Sequence, residues 1–401
     1  MVEPLAGGLM VSRTSSILVV TGETSGENHA AGLIKQMELQ NPDWHLQWFG
    51  SGGAQMAAAG TEVLFDISQL AAIGPWEALA HLSHYWRLHR RILAETRKRQ
   101  PCLAVLVDFP EFNLSLASRL KALKVPICYF IGPQVWAWRP SRVKQIKRYV
   151  DLMLVIFPFE EQFYRRQGIE AHYVGNPSIA LREFLIESEN GCDRRETSSE
   201  VPVVALLPGS RKREVEQIFP VQLDAARCVA ERHPVKFWVV KAPQITRTHL
   251  SSVYENWVHR GNPPLQLEIH EQPVPRLLPQ VSCAIVKSGT STLEATILQV
   301  PFAMVYRLSR PSWYLVRPLV NTHTYCLANL IAGREIVPEF VQNEATGDKI
   351  GAYVLGLLKD QKRREEVRKN LEMTSKKLGE RNAYQEGAKY ISQFLKKDDF
   401  F

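Results

Sequence analysis

Short, nearly unbroken apolar runs recur through the first part of the chain: 16–22 (SILVVTG), 46–50 (LQWFG), 102–108 (CLAVLVD), 127–132 (ICYFIG), 152–157 (LMLVIF) and 171–175 (AHYVG). Runs this short, without polar alternation, suit strands buried on both faces, and the longer amphipathic segments between them suit crossover helices. The pattern predicts a parallel α/β sheet. A polar, charge-rich stretch at 187–200 interrupts it, and the rhythm restarts with 203–209 (VVALLPG), 235–240 (VKFWVV), 265–270 (LQLEIH), 283–289 (CAIVKSG) and 301–306 (PFAMVY). The expected organisation is two doubly wound, Rossmann-like α/β domains, residues 1–180 and 201–375, joined by a linker at 181–200. The charged helical segment at the end, 376–401, is expected to pack back on the first domain or on a partner protomer. Two such domains turn their strand C-terminal loops towards an inter-domain cleft, the shape of a two-substrate transferase.

Residues 75–99 (PWEALAHLSHYWRLHRRILAETRKR) set Trp76, Leu79, Leu82, Trp86 and Leu93 near helical spacing and carry Arg87, Arg90, Arg91, Arg97, Lys98 and Arg99. A basic amphipathic helix of this kind fits an anionic membrane surface, and its apolar stripe fits ordinary docking on the sheet equally well. His81, His84 and His89 lack the carboxylate or Cys that would complete a metal set, so no metal is expected.

The 401 residues, 45% hydrophobic and 22% charged, exceed one usual core and exclude disordered and fibrous classes. A formal net charge of +8 biases the surface towards anionic partners: phosphorylated substrate, anionic lipid or nucleic acid. No nucleic-acid motif accompanies the charge, and no nucleic-acid partner is expected. The longest apolar stretch, near 152–159, falls far short of the roughly 20 residues of a membrane span. The N-terminal segment lacks a basic leader with a long apolar core, so the expected compartment is the cytoplasm. Cys102, Cys128, Cys192, Cys228, Cys283 and Cys326 form no CxxC pair and read as reduced packing residues.

The chemistry concentrates where apolar runs end. Ser288, Gly289 and Thr290 join a strand to a helix-like segment containing Glu294, so backbone N–H groups and the helix dipole converge on a cradle suited to a diphosphate. Glu294, one turn on, is placed to accept hydrogen bonds from a ribose; a plain β–α turn with a structural Glu has the same pattern. Gly209, Ser210 and Arg211 end another run, with Glu214 just beyond, and a Gly-Ser turn beside an Arg supplies backbone donors and a fixed cation to the same diphosphate. In the first half, Gly22, Glu23, Ser25 and Gly26 form a turn that is neither a dinucleotide fingerprint nor a P-loop, which weakens NAD and ATP readings. It suits backbone approach to a polar substrate, or a tight turn with no ligand. Asp108 ends a buried strand and is the candidate general base; with Glu111 it also suits a glycosidase pair or a helix cap. Trp136 and Trp138 fit either a sugar-stacking wall or the core.

Taken together, GETSGE, DFPEFN, GPQVWAWRPSRV, FPFEEQFY, VGNP, LLPGSRKREVE, KSGTSTLEA and NLIAGREIVPE resemble, in order and spacing, the lipid-A-disaccharide synthase family over roughly residues 16–395. The resemblance implies a GT-B fold. It implies inverting, metal-independent transfer of 2,3-diacylglucosamine from UDP-2,3-diacylglucosamine to 2,3-diacylglucosamine 1-phosphate, without a cofactor. The products would be a β-1,6-linked lipid A disaccharide 1-phosphate and UDP. It also implies peripheral attachment to the inner face of the cytoplasmic membrane and a homodimer formed by exchange of C-terminal segments. Asp108 and Arg211 take the catalytic roles, the two phosphate loops with Glu214, Glu294 and Asn329 bind the donor, and Gly22 to Gly26 with Glu111, Asn113 and Trp136 form the acceptor side. Two positions depart from the family pattern: Glu111 stands where Asp is common, and Asn176 where His is common. The rivals are another GT-B UDP-sugar transferase or epimerase and a non-catalytic nucleotide-sugar or lipid-binding paralogue.

Overall fold

The apolar runs become the strands of two parallel sheets in a computed structural model that describes residues 15–67, 78–137, 139–185, 201–317 and 324–397, the side chains of 78–84, 310, 315 and 316 excepted. Trp76, Trp138, Cys192 and linker residues 186–200 lie outside the described residues, as do the side chains of Leu79, His81, Leu82 and His84. The chain divides into one unit formed by Met1–Pro177 with Arg381–Phe401 and a second formed by Ser178–Glu380.

In the first unit β1 (Ser15–Val20), β2 (Leu46–Gly52), β3 (Thr61–Asp66), β4 (Leu103–Val107), β5 (Ile127–Phe130), β6 (Leu152–Val155) and β7 (Ala171–Tyr173) form a parallel sheet in the order β3-β2-β1-β4-β5-β6-β7. Leu18, Val20 and Leu106 join the core on one face, while Ile17, Val19 and Val105 join the core on the other, as a strand covered on both sides requires. Edge strand β3 was not expected; its T-E-V-L-F-D sequence buries Leu64 but leaves Glu62 and Asp66 exposed, so it offers no apolar run. One face is closed by the C-terminal helix Ala383–Lys397, whose Ala388, Ile391 and Leu395 are fully buried beside Ile17 and Val19. Burial of Ile391 and Leu395 contributes about 1.5–3 kcal/mol each. Polar contacts fix this helix against the helix Thr24–Gln40: the Tyr384 hydroxyl meets His29 Nδ1 at 2.9 Å, and Asn41 Nδ2 donates to Ser392 Oγ at 2.9 Å.

The basic helix forms as Ala78–Arg99, and of the two expected stripe residues whose side chains are described, Leu93 packs against the core and Trp86 does not. Leu88, Ile92 and Thr96 are buried and Tyr85 packs on Phe109 and Phe112, whereas Trp86 is 59% exposed with the Arg90 guanidinium 4.5 Å from its ring centre. Tyr85, Leu88, Ile92 and Thr96 follow one helical face as regularly as Trp86 and Leu93 follow the next. No described helix is long and apolar enough to cross a membrane.

The second unit repeats the architecture with β8 (Val203–Leu207), β9 (Lys236–Val240), β10 (Leu267–His270), β11 (Cys283–Lys287), β12 (Phe302–Tyr306) and β13 (Glu339–Val341), ordered β10-β9-β8-β11-β12-β13 and parallel throughout. Edge strand β13 was likewise unexpected, being three residues with none fully buried. The five described cysteines are buried and free, in keeping with packing roles.

Candidate active site

Each sheet changes its direction of winding between two neighbouring strands, β1 and β4 in the first unit and β8 and β11 in the second. Loops leaving those strands diverge and open a crevice beyond their carboxyl ends. In each unit a neutral amide from the following helix braces the strand ends. Asn113 Nδ2 donates to Asp108 O at 2.7 Å and reaches Val107 O and Val20 O at 3.3 and 3.5 Å. Gln222 Nε2 donates to Leu207 O at 3.1 Å and Ile285 O at 2.9 Å.

At the first crevice Asp108 leaves β4 with φ 47° and is followed by Phe109 at φ 51°. Left-handed backbone at two successive non-glycine residues costs on the order of 1–3 kcal/mol each, and persists only where the surroundings over-determine it. Here the Asp108 carbonyl accepts from both Asn113 Nδ2 and the buried Tyr129 hydroxyl, each at 2.7 Å, while the Phe109 ring stacks on Phe112 at 5.1 Å. A Cβ at Gly22 would lie 2.4 Å from the Phe109 ring, so a side chain there would displace it. The turn containing Gly22 and the exposed Glu23 is thereby set beside the strained dipeptide. Burial first, and then the Glu23 charge, push the Asp108 carboxyl up to about 6, against the opposing hydrogen bond from the Phe109 N–H. A carboxylate of that basicity, partly open to water at a strand end, has the properties of a general base.

The remaining first-unit residues form adjoining groups. Ser25 is exposed, its Oγ 3.5 Å from His29 Nε2, and a Cβ at Gly26 would lie 2.4 Å from Thr21 Oγ1. Glu111 is the exposed partner of Arg139, at 3.0 Å, and of the buried Arg142. Asn113 is wholly buried as the brace described above. Trp136 donates its indole N–H to Glu160 Oε1 at 3.1 Å and meets Phe159 edge-on at 5.1 Å. Glu160, not anticipated as a site residue, also accepts from the N–H groups of Phe157 and Ile156, and burial raises its pKa to about 7. Asn176 donates to Ile156 O at 3.1 Å.

At the second crevice the loops at 209–211 and 288–290, both expected to cradle phosphate, come together. Gly209 (φ 117°) and Gly289 (φ 146°) hold backbone conformations that side-chain-bearing residues rarely adopt. Arg211 caps the helix Lys212–Ala230, and its side chain is 72% exposed. Glu214 Oε2 accepts from the Ser210 N–H at 3.1 Å and the Arg211 N–H at 3.3 Å, while Oε1 lies 3.4 Å from the Arg211 guanidinium and 3.0 Å from Lys287 Nζ. Burial works to raise the Glu214 pKa, but Lys287, the Ser210 N–H and Arg211 outweigh it and bring it below the ordinary value. Lys287 ends β11, and a Cβ built on Gly289 would lie 3.5 Å from its ammonium. Lys287, like Glu160, was not anticipated from the sequence: a Lys closing a buried strand was its only signal.

Ser288 Oγ donates to Tyr325 O at 2.8 Å, and exposed Thr290 opens the helix Thr290–Ile297. The Glu294 carboxyl, on that helix, is raised by burial against a hydrogen bond from Ser291. Asn329 lines a cavity of about 320 Å³ with Tyr325, Glu335 and Glu339. Its amide is fully engaged, donating to Val337 O and Glu339 Oε1 and accepting from the Ile336 and Val337 N–H groups. A sugar contact by Asn329 requires one of these bonds to be exchanged.

The chain matches the family model described as lipid-A-disaccharide synthetase over residues 17–394. It is 38% identical to the lipid-A-disaccharide synthase of Myxococcus xanthus (strain DK1622), covering 94% of this chain and 97% of that protein. It is 39% identical to that of Koribacter versatilis (strain Ellin345), covering 88% and 91%. Among solved structures, a Neisseria meningitidis UDP-GlcNAc 2-epimerase bound to UDP-GlcNAc superposes with a TM-score of 0.61 at 12% identity, over 95% of this chain and 100% of that one. The S. aureus MnaA–UDP co-structure gives 0.62 at 10% identity, over 95% and 97%. These likenesses establish the GT-B type of fold, two Rossmann-like α/β domains.

Proposed function

Because the chain belongs to the lipid-A-disaccharide synthase family and is therefore a glycosyltransferase of lipid A biosynthesis, we propose that it transfers 2,3-diacylglucosamine from its UDP donor to 2,3-diacylglucosamine 1-phosphate. The observation that carries this reading is Asp108: a strained, largely desolvated carboxylate with a pKa of about 6 at the end of β4. The acceptor 6-hydroxyl attacks the donor anomeric carbon as Asp108 takes its proton. The bond from that carbon to the diphosphate breaks with inversion, and its electron pair leaves on UDP. Arg211 and the backbone donors of the two phosphate loops stabilise that charge, by analogy with about 3–4 kcal/mol for one oxyanion donor. Glu294 holds the ribose, and the Gly22 to Gly26 turn and Trp136 border the acceptor.

The enzyme works at the inner face of the cytoplasmic membrane, where both acylated substrates reside. The exposed Trp86 and the arginines of its helix support that placement. Two copies associate by exchanging the C-terminal segment that starts where the chain re-enters the first unit near Arg381. Mass spectrometry of a reaction containing both acylated substrates, with and without divalent metal, tests the proposal. A disaccharide 1-phosphate with equimolar UDP is the expected result. No disaccharide in either arm, while a family member is active alongside, refutes it.

A further inference from the structure

The Glu214–Lys287 ion pair crosses between the two phosphate loops, joining the first turn of the helix after β8 to the last residue of β11. A helix-capping carboxylate needs only the backbone N–H groups of Ser210 and Arg211, which Glu214 already has. Lys287 adds a cation from another element, and its ammonium stands over Gly289, whose side-chain space is otherwise open. One carboxylate is thus surrounded by two backbone N–H groups, a guanidinium and an ammonium. This is the donor set that a diphosphate oxygen would take.

We propose that Lys287 is a second cation of the donor-diphosphate site and that Glu214 is its resting counter-ion, from which the ammonium passes to the diphosphate when donor binds. The inference rests on the UDP-sugar reading above and adds a residue and an exchange step to it. Without the counter-ion, an unpaired, largely buried ammonium beside Gly289 would be held in the empty enzyme at the expense of its solvation. With it, the charge at the loops is balanced in both states. Glu214 keeps its two backbone hydrogen bonds throughout and leaves only the lysine.

Calorimetric titration of the full chain with UDP and, separately, with uridine tests this. Lys287→Met retains the alkyl stem and removes the charge. UDP affinity should fall about tenfold to a hundredfold, the range for one hydrogen bond to a charged group, while uridine affinity holds. Glu214→Gln keeps an acceptor for the two backbone N–H groups and frees the ammonium, so UDP should bind up to about fivefold more tightly. That gain should disappear in the Lys287→Met background, since the released cation is its source. Equal UDP affinity in Lys287→Met and the parent chain, or an equal loss for UDP and uridine in a variant whose unfolding midpoint is unchanged, overturns the role of Lys287. A Glu214→Gln variant that binds UDP more weakly overturns the counter-ion. If the parent chain binds neither ligand, the UDP-sugar reading itself fails, which the variants alone would not indicate.

Discussion

Replacing Asp108 with Asn should weaken catalysis and strengthen the fold, and the second effect is calculable from the site. Below pH 3.8, the ordinary Asp value, the carboxyl is protonated in folded and unfolded chains alike and costs nothing. Between 3.8 and about 6 the unfolded chain ionises while the folded one resists, so native stability falls as pH rises. Above about 6 the penalty is complete, and at about 1.36 kcal/mol per unit it amounts to roughly 3 kcal/mol. The side chain's partial access to water trims this to about 2 kcal/mol. Asn removes the ionisation, still accepts from the Phe109 N–H, and tolerates the left-handed backbone at φ 47° at least as well as Asp. Denaturant unfolding at pH 8 should therefore show Asp108→Asn to be about 2 kcal/mol more stable than the parent, with the difference vanishing by pH 3.5. In the same preparation turnover should fall by two or more orders of magnitude, the usual scale for loss of a general base. A variant less stable at both pH values would make the carboxylate a structural anchor. Unchanged turnover would remove it from the reaction.

In the parent enzyme kcat/KM should fall about tenfold per pH unit below about 6 as Asp108 protonates, and Glu23→Gln should move that limb to lower pH by removing the negative neighbour; a limb unmoved by the substitution refutes the coupling. Arg211→Ala should weaken UDP binding as well as turnover in calorimetry and rate assays, and intact affinity argues against its place at the diphosphate. Gly289→Ala should cost about 1–3 kcal/mol in denaturant unfolding, because φ 146° is strained for any side chain; an unchanged midpoint shows that the loop relaxes instead.

The central strands were legible in sequence because both of their faces are buried, as at Ile17 to Val20, and an uninterrupted apolar run leaves little else to be. β3 and β13 were not: β3 buries only Thr61, Leu64 and a share of its other residues while exposing Glu62 and Asp66, and β13 is three residues long with none fully buried, so neither makes an apolar run. The helix Ala78–Arg99 was legible as a helix but not in rotation: Leu88, which is buried, lies about 160° around the helix from the exposed Trp86, and only tertiary packing, such as that of Tyr85 on Phe109 and Phe112, selects between them. Asp108 was identifiable from its position at the end of an apolar run, yet its raised pKa depends on burial and then on Glu23 from another loop. Lys287 carried little local signal and Gln222 none. The first closes a buried strand, and the other is a polar helix residue of the kind usually facing water. Their significance lies in partners distant in the chain, Glu214 for the first and the carbonyls of Leu207 and Ile285 for the second.

Asn113 and Gln222 hold their strand ends with uncharged groups, so the scaffolding of each crevice is electrically silent. The charges at the two crevices belong to residues outside that scaffolding: Glu23 and Asp108 at one mouth, Arg211 and Lys287 with the single counter-charge of Glu214 at the other. Acidity at the first mouth and net positive charge at the second can therefore be altered by single substitutions that leave the amide braces of both sheets in place.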